Sequence, residues 1–508
     1  MVALVYLSLL FLVALLSSLL LAGGREERTN PAIRKLPPGP AKLPIIGNLH
    51  QIRGNLPHQS FWEISKQYGP LMHLKLGQVS AVVVSSAALA RDVLQTFDVT
   101  CCSRPHNVAT SEFSYGRSDI AFIPYGERWR QLRKLCTVEF FSARKINSFT
   151  SVREDEIAKM AKHISSCISS SLAVDVSELS LCFSCNTICR TAFGRDIAGD
   201  DLSVYDVLRE AQEVVTSFFV ADYFPLLGWV DVATGMKSRL RKSFLELDGI
   251  YQKFIDRHID SKSRSGSEND EDLMDVLIRL QKDGKLTEEN LKGILMNIFI
   301  AGTDTSSSVV EWAMAELIRL PELMKRAQEE VRSCVGRSKG KVEESDLHQL
   351  HYLKRIIKET MRLHTPAPLL IKETMHPVTL SNGYQIPPKT TIYVNAWAIG
   401  RDPDAWERPE VFDPERFVDM EPPAVDSFAH YDFKLIPFGE GRRICPGKNL
   451  GMLIVELALA NLLYSFDWQL PPGMREEEVS LEEAPGVAVH RKHALCLIAI
   501  KSESMNAA

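Results

Sequence analysis

Cys445 differs from the other cysteines of the chain in what surrounds it. It lies in Phe438-Gly439-Glu440-Gly441-Arg442-Arg443-Ile444-Cys445-Pro446-Gly447. A Leu- and Ala-rich run from Lys448 to Ser465 follows and predicts a helix. A thiol just before a helix N-terminus meets free N–H groups and the positive end of the helix dipole, which favour a thiolate. Arg442 and Arg443 add positive charge. The glycines let the backbone pack close to something flat. No second Cys or His stands at zinc spacing. A thiolate as the only protein ligand suits haem iron, where it pushes electron density toward O–O cleavage.

A second group of residues is Ala301-Gly302-Thr303-Asp304-Thr305, polar within an apolar region. A Thr hydroxyl on a helix can bond the carbonyl four residues back and open the helix locally. Thr305 can hold a proton donor or a water, and Asp304 can connect that point to solvent. The plainer reading is that Gly and Thr only allow close helix packing. Glu359 and Arg362 lie three apart on one helical face and can pair.

Long helices must position these groups. The strongest helical signal runs from Thr287 to Leu320. Thr287 is its expected N-cap, Glu288 and Glu289 sit in the first turn, and Pro321 stops it. At 1.5 Å per residue it spans about 50 Å, enough to cross a domain. Short β-like runs occur at Leu71–Leu76, Ala81–Ser85, Thr390–Val394 and Ala494–Ile500. There is no internal repeat. Ser261–Asp272 and Gly336–Glu344 read as exposed loops. The expected class is mainly α with small β-sheets, α+β.

Taken together, the motifs resemble the cytochrome P450 family of haem-thiolate monooxygenases. Phe438 to Gly447 meets every fixed position of F-x-x-G-x-R-x-C-x-G. Glu359-Thr360-Met361-Arg362 resembles the family's E-x-x-R helix, and Pro414-Glu415-Arg416-Phe417 its P-E-R-F segment. Ala301 to Thr305 resembles its oxygen-activation pattern, and Trp129-Arg130-Gln131-Leu132-Arg133 its propionate-binding helix. The motifs run in family order over nearly the whole chain. The L-P-P-G-P hinge, A-G-T-D-T and P-F-G-E-G-R-R-I-C-P-G resemble the plant A-type microsomal group.

The resemblance implies haem b with Cys445 as axial ligand. Phe438 and Gly447 frame it, and Trp129, Arg133 and Arg443 donate to propionates. Lys372 stands where an Arg is expected, keeping the charge but losing the fork. Thr305 and Asp304 would serve proton delivery. Glu359, Arg362 and Arg416 would form a structural network that serves folding and haem retention. Phe113, Ala301, Leu369, Leu370, Ile371 and Val487 would line an apolar substrate pocket, with the segments Arg104–Ile123, the helix around Asn297, Ala367–Ile371 and Gly486–Ala488 contributing. Electrons would come from NADPH through a separate NADPH–cytochrome P450 reductase, since no dinucleotide fingerprint is present. Lys134, Arg442 and Lys448 form a candidate docking face. The expected reaction uses O2 to hydroxylate, O-demethylate or ring-close a lipophilic plant specialised metabolite, a terpenoid or an aromatic lignan or alkaloid. Two alternatives stay open: a haem-thiolate isomerase or dehydratase acting on a peroxide without O2, and a non-catalytic haem sensor. The intact Asp304-Thr305 pair argues against the first, and the lack of an appended signalling domain against the second.

The 508 residues carry 45% hydrophobic and 24% charged side chains and a formal net charge of −5. That composition excludes a disordered chain and a many-pass membrane protein and gives no sign of a nucleic-acid binder. Ten cysteines are too sparse for a disulfide scaffold. Val2 to Ala22 carries no charge and reaches about 31 Å as a helix, the thickness of a bilayer core. A cleaved signal peptide is the rival reading, disfavoured because no Lys or Arg precedes the run. Arg25, Arg28, Arg34, Lys35 and Lys42 follow it, so the body should face the cytosol. The resemblance implies that the membrane is the endoplasmic reticulum. The expected organisation is an anchor over 2–22, a basic and Pro-rich hinge over 23–40, and one haem-binding domain over 41–508. Cys182, Cys185 and Cys189 fall on one amphipathic helix and read as buried structural residues. His348, His351, His364 and Trp312 also read as structural or surface residues. Cys101 and Cys102 receive no role.

Overall fold

A computed structural model describes residues 35–502, apart from 55, 195–202, 266–271, 337–338 and 419–430. The expected anchor therefore lies outside the described residues. No single described helix is long and apolar enough to cross a membrane.

The central helix runs Glu288–Arg319. Thr287 caps it, its hydroxyl accepting from the Asn290 N–H while Asn290 reaches back to Thr287. It ends at Arg319 because Pro321 opens the next helix, Pro321–Val335. It crosses the helix Val176–Phe193 so closely that a Cβ on Gly302 would come within 2.9 Å of Ile188 Cδ1. Gly302 thus has a packing role, while its neighbours Ala301 and Thr305 face elsewhere. The helix Lys448–Ser465 has its expected bounds, and nearly all of its last three turns is buried.

The four expected strands are observed near their places, as Leu71–Leu76, Val79–Val84, Thr391–Asn395 and Cys496–Lys501, and Leu369–Glu373 is a strand outside those expectations. Leu71–Leu76, Val79–Val84, Thr391–Asn395 and Leu369–Glu373 form one sheet in that spatial order, with one parallel pair, Val79–Val84 with Thr391–Asn395. Cys496–Lys501 pairs with Phe466–Gln469 and Val174–Asp175. Glu483–Ala484 and His490–Arg491 form a short late hairpin. The Pro-rich stretch is clamped to the first strand: His73 N–H donates to Pro38 O at 2.8 Å. A Cβ on Gly39 would sit 2.0 Å from His73 O.

One loop expectation is corrected. Ser261–Ser265 is not a loop but the last turn of the helix Met236–Ser265. Ser, Asn and Glu favour loops only weakly, and a run of them can continue a helix already formed before it. Asp272 is the N-cap of the following helix, Leu273–Lys282. Cys185 and Cys189 are buried, with sulfurs 3.9 Å apart on one helix. Trp312 is fully buried and stacks on His364 at 4.1 Å.

Candidate active site

The Cys445 loop is shaped by backbone. Gly439 and Gly441 take φ of +66° and +73°, where a side chain would be strained. A Cβ on Gly441 would also lie 2.1 Å from Leu94 O. Cys445 N–H donates to Phe438 O at 2.9 Å, closing the loop. The helix Lys448–Ser465 that follows the loop meets the central helix where Gly451 approaches Ser306, with 3.7 Å from a built Cβ to Oγ. Leu370 stands 3.7 Å from the Cβ position of Gly439, and Phe141 3.6 Å from that of Gly447. Cys445 is reached by solvent-sized space although protein surrounds it closely. Burial pushes its thiol up, against the pull of the Gly447 N–H, Arg133 and Lys448. A bound metal ion deprotonates a coordinating thiol outright.

Cations gather beside this loop. Arg443 donates to Cys102 O at 2.9 Å, Ile120 O at 3.2 Å and Ile123 O at 2.6 Å, and its guanidinium lies 4.5 Å over the Trp129 ring. Trp129 Nε1 donates to Ile120 O at 3.2 Å. Arg133 donates to Ile444 O at 2.5 Å. Lys372 is buried, with Nζ 3.5 Å from Asp98 Oδ1. Arg104, which no motif singled out, donates to Ala121 O at 2.9 Å and to Ile371 O. Burial and the neighbouring Arg104 hold Arg443 down at about 9. Burial brings Arg104 to about 10 against the pull of Asp119, and lowers Lys372 against that of Asp98. Among the described residues the carboxylates set against these cations are Asp98 and Asp119, so a bound dianion would relieve them. A haem with two propionates and one thiolate ligand fits that donor set.

On the central helix, Ala301 is exposed and Thr305 half-buried, while Ile300, Thr303 and Ser306 are buried. The helix runs unbroken through these residues, and Ala301 and Thr305 are accessible positions on it. Thr305 Oγ1 donates to Ala301 O at 2.8 Å, leaving its lone pairs to accept. Asp304 departs from expectation. Its side chain is 2 % exposed and both oxygens are engaged: Oδ2 accepts from Ala488 N–H at 2.9 Å, and Oδ1 meets His490 Nε2 at 2.5 Å. It does not reach solvent itself. The sequence has no motif at His490, so it went unnoticed.

The expected pocket residues divide. Ile371 is exposed, and Leu369, Leu370 and Val487 are partly buried. Phe113 is not brought to the opening. It is 1 % exposed and packs edge-on to Phe244, because its short helix Val108–Phe113 lies on the helix Met236–Ser265. Asn297 holds the neighbouring loop, accepting from Ile120 and Ala121 N–H at 3.1 and 3.3 Å and donating to Asp119 at 2.8 Å. Glu359, Arg362 and Arg416 form one network: Arg362 Nε and Arg416 Nε donate to Glu359 at 2.7 and 3.0 Å.

Comparison with known proteins agrees with this geometry. The family model for cytochrome P450 matches residues 37–497. Cytochrome P450 71A1 of Persea americana is 48% identical over 462 residues, covering 89% of this chain and 91% of that protein. Strychnine-11-hydroxylase of Strychnos nux-vomica is 45% identical, covering 94% of each chain. Costunolide synthase of Lactuca sativa is 44% identical, covering 92% of this chain and 94% of that one. Among solved structures, a zebra fish cytochrome P450 with progesterone superposes with a TM-score of 0.74 at 26% identity, covering 87% of this chain and 99% of that one. With the Cys445 loop, the cation cluster and the central helix in family order, the chain belongs to the cytochrome P450 family and is a plant haem b monooxygenase.

Proposed function

We propose that the chain oxidises a lipophilic plant specialised metabolite, with O2 and with electrons passed from NADPH by a separate reductase. The observation that carries this reading is the pair of accessible positions Ala301 and Thr305 on the central helix, with the Gly486–Ala488 turn bonded to that helix at Asp304 and Leu370 packed beside Gly439 of the Cys445 loop. Bound haem supplies reductive activation of O2 and insertion of one oxygen atom. Arg104, Arg133, Arg443, Lys372 and Trp129 would hold its carboxylate edge, and Cys445 would ligate the iron. The protein's own work is to exclude water and control one proton path. Thr305 accepts a hydrogen bond from a water or donor on its open side, and Asp304 with His490 lies behind it. The apolar lining orients the substrate against that helix.

The relatives named for strychnine and for costunolide stand at nearly equal identity, so substrate class is left to assay. Microsomes holding the chain, a plant reductase and NADPH would be given terpenoid, lignan and alkaloid panels, with products read by mass spectrometry. An oxygenated product that needs both NADPH and O2 supports the reading. NADPH-independent turnover of a hydroperoxide replaces it with the isomerase or dehydratase reading. With that substrate, Thr305→Ala should keep haem but lower product formed per NADPH by about tenfold or more, with hydrogen peroxide in its place. Unchanged coupling would remove Thr305 from the path.

The body itself carries an apolar surface suited to the membrane. Leu226 is 85 % and Trp229 65 % exposed, with Phe218, Leu227 and Val232 also exposed. Leu43, Ile45 and Ile46 are exposed beside them, across one turn: Gly77 N–H donates to Ile46 O and Gln78 N–H to Tyr223 O. Such a patch partitions into the headgroup boundary. Chain freed of residues 1–22 should still sediment with phosphatidylcholine vesicles. Leu226→Asp with Trp229→Asp should weaken that by roughly tenfold or more, given about 1.5–3 kcal/mol per buried apolar side chain. Equal sedimentation of both forms would assign membrane contact to the N-terminal run alone.

A further inference from the structure

The late hairpin carries the turn Gly486-Val487-Ala488 and is fixed by charge at both ends. At one end Glu483 meets His58 Nε2 at 2.7 Å, Gln59 Nε2 at 2.7 Å and Trp397 Nε1 at 2.8 Å. Burial would raise its carboxyl, but His58, Trp397 and Arg401 hold it at about 2. At the other end, Asp304, Ser308, Glu311 and Trp312 form one face of the central helix and all grip residues 488–490. Asp304 accepts from Ala488 N–H, while Ser308 Oγ and Trp312 Nε1 donate to Val489 O at 2.7 and 3.1 Å. His490 lies between two buried carboxylates, with Nε2 2.5 Å from Asp304 and Nδ1 3.7 Å from Glu311. Ser177 Oγ donates to the other Glu311 oxygen at 2.5 Å.

We propose that His490 is a positioning residue of the substrate pocket: its imidazolium, held between Asp304 and Glu311, registers the Gly486–Ala488 turn on the central helix beside Thr305. This rests on the pocket reading of that turn given above. Hydrogen bonds to Ala488 and Val489 define where the turn sits along the helix, and His490 supplies the charge that holds two carboxylates together on that face. Without it, Asp304 and Glu311 repel across the hairpin, and the hairpin must move or take in water. Arg491 on the hairpin and Glu316 further along the helix are the other charges nearby, and Glu316 is itself paired with His364 at 2.7 Å. Burial lowers the His490 ring, but Asp304 and Glu311 raise it by more, to about 10. The sign follows from an ordinary value of 6.5. The clamp's stabilisation is whole below about pH 6.5, declines as pH rises, and is gone above about 10.

The test uses haem-loaded full-length chain and the bulky apolar azole clotrimazole, whose binding is read from the haem absorption shift. His490→Gln keeps size and loses charge. It should retain the carbon monoxide band but bind clotrimazole about fivefold more weakly at pH 7.5. Wild type should lose stability to urea between pH 7 and 9.5, and His490→Gln should not show that slope. Asp304→Asn combined with His490→Gln should be no weaker in azole binding than His490→Gln alone. Val487→Phe tests the underlying reading separately. If Val487→Phe changes azole affinity and His490→Gln does not, the positioning role fails and the pocket reading stands. If neither changes it, the pocket reading fails and takes the inference with it. Fully additive effects of Asp304→Asn and His490→Gln would also overturn the clamp.

Discussion

Cys445→Ala is expected to abolish the long-wavelength Soret band of the reduced carbon monoxide complex, and with it all monooxygenation. The fold should survive the change. The loop is closed by the backbone bond from Cys445 N–H to Phe438 O and by the conformations of Gly439 and Gly441, none of which needs the sulfur. The thiols near the cation cluster do not replace it, since Cys101, Cys102 and Cys136 are fully buried while Cys445 is accessible. The cation cluster of Arg104, Arg133, Lys372 and Arg443 remains, so some haem can still bind by its carboxylates, without the thiolate spectrum. Stability should fall by the lost linkage to bound haem. A wild-type-like band in Cys445→Ala would sink the ligand assignment. Circular dichroism on the same sample shows that folding is intact.

Glu359→Gln is expected to destabilise the chain by about 3–5 kcal/mol and to lower the yield of haem-loaded protein sharply. Glu359 is fully buried and accepts from Arg362 Nε at 2.7 Å, Arg362 Nη2 at 2.8 Å, Arg416 Nε at 3.0 Å and Asp413 N–H at 2.8 Å. The two guanidiniums reach on to carbonyls: Arg362 to Gly400, Pro409 and Val411, and Arg416 to Glu407, Arg408 and Val411. Removing the single carboxylate leaves two cations in the core facing only dipoles. An exposed pair such as Lys66 with Glu63, both more than half exposed, should change stability by less than about 1 kcal/mol when broken. Urea unfolding of both variants makes the comparison. Glu359→Gln within about 1 kcal/mol of wild type would show that the network adds little to stability.

Local signals were legible because their causes are local. Thr287, Glu288, Glu289 and Pro321 act within one turn of the helix they bound, so Thr287–Leu320 and the observed Glu288–Arg319 differ by one residue at each end. The Leu/Ala run after Cys445, the first strand and the motif order were readable for the same reason. Ser261–Ser265 reads as loop by polarity yet continues the helix Met236–Ser265, because polarity alone does not break a helix. Tertiary structure decided the partners. Asp304 looked free to meet solvent until the hairpin placed Ala488 and His490 against it, and Phe113 turned into core when its helix packed on Phe244. Arg104 joined the cation cluster because the chain returns Ile371 and Arg443 to it. A buried polar group bonds to whatever donor or acceptor lies within about 3 Å in space, hundreds of residues away or not. Residue type and spacing carry which chemistry is possible, but the packed chain alone selects which carboxylate, cation or carbonyl each group finally meets.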